Sequence, residues 1–204
     1  MTEPNPEWNP DLYIFEFPDV PQYEGLLVEM PLIHKVEKIR VYVTEVLKQS
    51  ARCLGIDAEI PALITGLAII DYLAGFYAGR QSKKEDYIEF MHQYFPSTYR
   101  PFLEYIYHNL RCGMLHNLVA MNPWKDANIS FLIASNHSNH LMPESDKTIF
   151  SVKTFLEDIR RSWWKFAHTL IMKGDLNPEL VTKFHRRFNK LQGIGAFMVN
   201  TPES

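Results

Sequence analysis

Apolar residues recurring at the helical period constrain this chain more than any other feature. Leu32, Ile33, Val36, Ile39, Val43, Leu47 and Ala51 share one face of a 3.6-residue wheel, which predicts a helix beginning near Leu32. Ile60, Leu63, Ile64, Leu67, Ala74 and Ala78 predict a second helix over about residues 59–79, with Gly79 suited to end it. A third, about 84–94, stops before Pro96. Ser97 or Thr98 is placed to cap a fourth helix over 98–119. Its stripe is Tyr99, Phe102, Leu103, Ile106, Leu110, Met114 and Leu118.

The period then changes. Residues 129–134 (ISFLIA) read as a strand, 135–139 (SNHSN) as a polar turn, and 140–142 as the start of a returning strand. Helical spacing resumes near Lys147 through Phe150, Phe155, Ile159, Trp163, Phe166 and Leu170. Asn177 and Pro178 open a last helix to about Leu191, proline being favoured in the first turn. Residues 1–31 carry six prolines, which rules out a helix there. Their aromatic content predicts an extended arm docked on the body, with a short strand at 13–17. The expected fold is all-α: an up-and-down helical bundle over 32–204 with a small β-hairpin appendage near 128–142.

A chain of 204 residues, 46% hydrophobic, can bury one substantial core. The net charge of -3 and the lack of any long basic run argue against wholesale nucleic-acid coating, which needs many cations against phosphates. Two cysteines, Cys53 and Cys112, are too few for a disulfide framework. With no signal-like start and no apolar run of about 18 residues, the chain reads as cytoplasmic and without a membrane partner.

Two charges break the apolar stripes. Asp71 sits one turn from Leu67 and Ala74, and Arg40 between Val36 and Val43. A buried carboxylate is costly unless paired. Asp71 is therefore expected to be largely buried and bonded to Arg111 first, or to Arg40. As a functional residue it would orient Arg111 or His116. Arg111 and His116 stand five positions apart, about 140° around an α-helix, so one straight helix does not bring them together. Convergence requires a bend at Gly113 or a second copy of the chain across a two-fold axis. Without it, both residues simply satisfy carbonyls at helix ends. His137 and His140 have metal-like spacing but lack acidic or cysteine partners, so no metal or other cofactor is expected. Cys112, beside Arg111, reads as a small packed residue rather than an activated thiolate. No phosphate-loop, dinucleotide, nucleophile-elbow or zinc motif is present.

The segment YHNLRCGMLHN, residues 107–117, resembles the HEPN superfamily, in which an Arg-x4-His segment lies on the last long helix of an up-and-down bundle. The similarity covers residues 60–142, taking in IIDYLAGFYAGR and a YFP turn. It implies a homodimer with an RNA or nucleotide ligand. It further implies a metal-independent endoribonuclease or defence effector, with an antitoxin partner where the system is toxin–antitoxin. His116 would be the general acid/base on a ribose 2′-hydroxyl, and Arg111 would stabilise the charge on the phosphate, with Asp71 in support. Active members usually carry a polar residue, often Asn, after the arginine; here it is Cys112. The superfamily also holds non-catalytic dimerising or ligand-binding modules.

Overall fold

The computed structural model describes residues 31–114 and 129–192. The expected strand at 13–17, the rest of the arm before Pro31, and His116 lie outside the described residues. Within them the protein is a mostly helical bundle carrying a small three-stranded sheet.

Helix α1 (Leu32–Leu54) and helix α2 (Glu59–Ala78) form the first antiparallel pair, and α3 (Lys84–Tyr94) follows. Helices α5 (Val152–Met172) and α6 (Pro178–Gln192) complete the bundle. Helix α2 is the hub, packing on α1, α3, α5 and α6. That position explains why its buried residues, from Ala62 and Leu63 to Gly75 and Phe76, are not confined to one stripe. Contrary to the sequence expectation, α2 has the length and apolarity of a membrane span, but that apolarity is used inside the bundle. It ends as expected at Gly79, whose φ of 73° lies in the left-handed region that glycine reaches without strain.

Helix α1 buries Val36, Ile39, Val43 and Ala51, while Ile33 faces solvent. It also buries Lys35, which the stripe did not foresee. Its Nζ lies 3.1 Å from His185 Nδ1, donates to Asn189 Oδ1 at 3.2 Å, and sits over the Phe188 ring.

The fourth helical stretch is not one α-helix. It runs as a 3₁₀ segment (Ser97–Phe102), one α-turn (α4, Leu103–Tyr105) and a π-helical segment (Ile106–Cys112). Neither Ser97 nor Thr98 caps it with a side chain. Pro101, inside the 3₁₀ segment, has no N–H to give to an α-helical ladder.

The sheet corrects the expected hairpin. Strand β1 (Ser130–Ala134) forms where anticipated, but its partner is β3 (Lys147–Ser151), and the two run parallel with Leu132 opposite Ile149. Residues 140–142 do not return along β1. The hairpin is β2 (Pro143–Glu144) with β3, giving the order β1-β3-β2. The stretch from Lys147, expected to be helical, is strand up to Ser151. Helix α5 starts at Val152, with Ser151 Oγ accepting from Thr154 N. At the start of α6, Asn177 Oδ1 accepts from Leu180 N at 3.2 Å.

Candidate functional site

Asp71 and Arg111 meet where α2 faces the π-helical segment. Arg111 Nε donates to Asp71 Oδ2 at 2.8 Å, and the second carboxylate oxygen accepts from Ser82 Oγ at 2.9 Å. The first-choice partner is therefore the one found. Arg40 instead bonds Glu37, a partner three residues away on its own helix. The pair is less buried than expected, with side chains 20% (Asp71) and 23% (Arg111) exposed. Its place at the rim of the bundle, near the start of α3, accounts for the difference.

The surroundings hold Arg111 in one orientation. The Tyr107 ring lies under its guanidinium, 5.4 Å from the centroid, and Nη1 reaches Cys112 Sγ at 3.9 Å. Burial opposes the charge, but the hydrogen bond and charge of Asp71 outweigh it, so the guanidinium stays above its ordinary range. Beneath the pair lies Tyr87, fully buried, with no hydrogen-bond partner for its hydroxyl among the described residues. Burial first, then the Asp71 charge, pushes that hydroxyl well above its usual value.

The π-winding matters for the site. It takes more residues per turn than an α-helix, so the wheel used to separate Arg111 from His116 fails up to Cys112. Gly113 continues the helix with φ -61°, so it neither ends nor sharply bends the chain there. His116 itself lies outside the described residues, as does its separation from Arg111. On the other side of the segment, His108 Nε2 lies 3.4 Å from Glu104 Oε2, which also pairs with Lys84.

A second polar cluster lies under the sheet. Ser151 N donates to His140 Nδ1 at 2.9 Å, which leaves the proton of a neutral ring on Nε2, facing the Tyr99 hydroxyl at 2.8 Å. Tyr99 in turn donates to Asp158 Oδ2 at 3.0 Å, and Arg161 Nη1 donates to Asp158 Oδ1 at 3.3 Å. Burial pulls the imidazole down to about 4 and pushes the Asp158 carboxyl up. Both ring nitrogens of His140 are thus engaged within the protein. His137 accepts from Asn139 N at 3.2 Å through Nδ1. The cluster is a strut between the sheet and α5.

Sequence reasoning missed Tyr107, Ser82 and Tyr87 around Arg111. Only Tyr107 left a signal, since it stands four residues before Arg111 on the same helical stretch. No family model matches the chain, and no curated protein or solved structure matches it either.

Proposed function

We propose that the chain is an HEPN-like cytoplasmic homodimer acting as a metal-independent endoribonuclease through Arg111 and His116. The observation that carries this reading is the orientation of Arg111. Asp71 engages Nε, Nη1 reaches only the weak acceptor Cys112 Sγ, and Tyr107 supports the guanidinium plane, so among the described residues Nη2 is the group left to meet a phosphate oxygen. A guanidinium held still stabilises charge developing on a phosphodiester without reorganising during the reaction. His116, as general base, takes the proton of the ribose 2′-hydroxyl. The oxygen attacks the adjacent phosphorus, the 5′-oxygen leaves with a proton from an acid, and the product ends in a 2′,3′-cyclic phosphate. Asp71 acts as a positioning residue.

A second reading, a non-catalytic HEPN-like dimerising or ligand-binding module, is favoured by two observations. Asp71 cancels the charge of Arg111, and Cys112 follows the arginine where active members usually carry a polar group. The test is incubation of the full chain with RNAs of varied sequence in EDTA, with analysis of the product ends. Metal-independent cleavage to 2′,3′-cyclic phosphates supports the ribonuclease. A folded protein inert on every RNA overturns it in favour of the module.

A further inference from the structure

The small sheet has one guarded edge and one open edge. On the β2 side it ends in Pro143 and Glu144, two exposed residues that offer a further strand little to pair with. On the other side stands β1, five residues with neither a charge nor a proline. Among the described residues, the backbone of Ser130–Ala134 bonds only β3, so alternate N–H and C=O groups along β1 point away from the sheet. Ile129, Phe131 and Ile133 pack on the core, while Leu132 between them is 40% exposed.

A row of free backbone donors and acceptors selects an extended strand, and the alternate side chains select which one. The segment Tyr13-Ile-Phe-Glu-Phe17 fits by pattern, by reach and by charge. Tyr13, Phe15 and Phe17 alternate with Ile14 and Glu16. The chain enters α1 in an extended conformation at Pro31 (φ -54°, ψ 152°). Residues 18–31, extended at about 3.1 Å each, reach roughly 43 Å. Helix α1, at about 1.5 Å per residue, is only about 34 Å long. The arm therefore reaches even the far end of the bundle, where Ser135 Oγ meets Glu59 at the start of α2.

The fold also sets the direction. The N-terminal end of β1 is tied by Ile129 O, which accepts from Asn109 Nδ2 at 3.0 Å, to the π-helical segment whose Arg111 meets Asp71 in the second half of α2. A chain arriving from Leu32, beside the end of α2, meets that end of β1 first. Phe17 falls there and Tyr13 towards Ala134, which makes the pairing antiparallel. With Phe15 opposite Phe131, the three aromatic rings join the inward row of Ile129, Phe131 and Ile133. Ile14 then covers Leu132, and Glu16 faces outward beside Ser130, in the row of the exposed Lys147. A slip of one residue would turn Glu16 into the core. We propose that residues 13–17 dock antiparallel on β1 as a fourth strand and close the open edge of the sheet. This docking is independent of the ribonuclease reading.

Two measurements on the full chain test it. Amide hydrogen exchange by NMR should find every amide of residues 131–133 protected. Phe15→Asp should speed exchange of the outward-pointing amides by about tenfold or more, while those bonded to β3 and those of α2 keep their protection and report an intact fold. Separately, with Cys53 and Cys112 replaced by serine, Ile14→Cys and Leu132→Cys should form a disulfide within one chain under mild oxidation, since directly opposed strand residues have the required separation. Ile14→Cys with Glu144→Cys, on the guarded edge, should form none. Outward amides that exchange like a free peptide in wild type, or protection unchanged in Phe15→Asp, would overturn the proposal. Disulfides that join two chains through Leu132→Cys would also overturn it, giving the edge to a second copy.

Discussion

Acidification should loosen the sheet from the bundle through His140. In the folded protein this imidazole titrates at about 4, held neutral by burial. In the unfolded chain it titrates near 6.5. Between those values the unfolded state binds a proton that the folded state refuses. The stability associated with the neutral ring is therefore complete above about pH 6.5 and is lost as pH falls towards 4. A proton on Nδ1 would also face the Ser151 N–H, two donors in one bond. The full loss amounts to about 3 kcal/mol, of which about 2 kcal/mol should be gone by pH 4.5. Asp158 works in the opposite sense, because its raised carboxyl takes up a proton earlier in the folded state than in the unfolded one. Comparing wild type with His140→Phe removes that contribution, since both retain Asp158 bonded to Tyr99 and Arg161. Urea unfolding followed by circular dichroism from pH 7 to pH 4.5 is the assay. The stability gap between the two proteins should shrink by about 2 kcal/mol over that range. A gap that stays constant would show that His140 is not held neutral, and the strut would have to be redrawn.

Asp71→Ala should cost about 1–3 kcal/mol, less than a fully buried pair, because both partners are about a fifth exposed; a double-mutant cycle with Arg111→Ala should show coupling of about 1 kcal/mol or more. Thermal melts that add independently would deny the pair. Gly79→Ala should cost about 2 kcal/mol, since its φ of 73° disfavours a side chain and the new Cβ would lie 2.9 Å from the Lys183 Cα. Gly55→Ala, with ordinary φ and a nearest contact of 3.4 Å, should be neutral or slightly stabilising. Equal melting shifts for the two glycines would contradict the close approach of α6 to the end of α2.

Helices α1, α2 and α3 were legible because their boundaries are local: apolar spacing opens them, and Gly79 and Pro96 close them. The sheet was only half legible. In β3, Ile149 and Phe150 are adjacent and both buried, so the strand shows no alternation to set it apart from a helix. The parallel pairing of β1 with β3 spans a 12-residue connection that no local pattern announces. Leu141 and Ser145 adopt φ near 60°, where turn chemistry gives no warning for a leucine. Asp71 announced its need for a partner, since a carboxylate among leucines demands one. That Arg111 rather than Arg40 answered depended on Glu37, which occupies Arg40 locally. The π-winding, Tyr87 beneath the pair and Arg187 against Gly75 are consequences of packing, written in no single segment.

The proposal that Arg111 and His116 act together on RNA is tested most directly by separating them. Rates of RNA cleavage in EDTA would be compared for wild type, Arg111→Ala, His116→Ala and an equal mixture of the two variants. Each variant alone should lose roughly 10²–10⁴ in rate while keeping its fold. If the site is composite, the re-equilibrated mixture should recover about a quarter of wild-type activity, because half the dimers regain one intact site. Single variants as active as wild type would contradict the account.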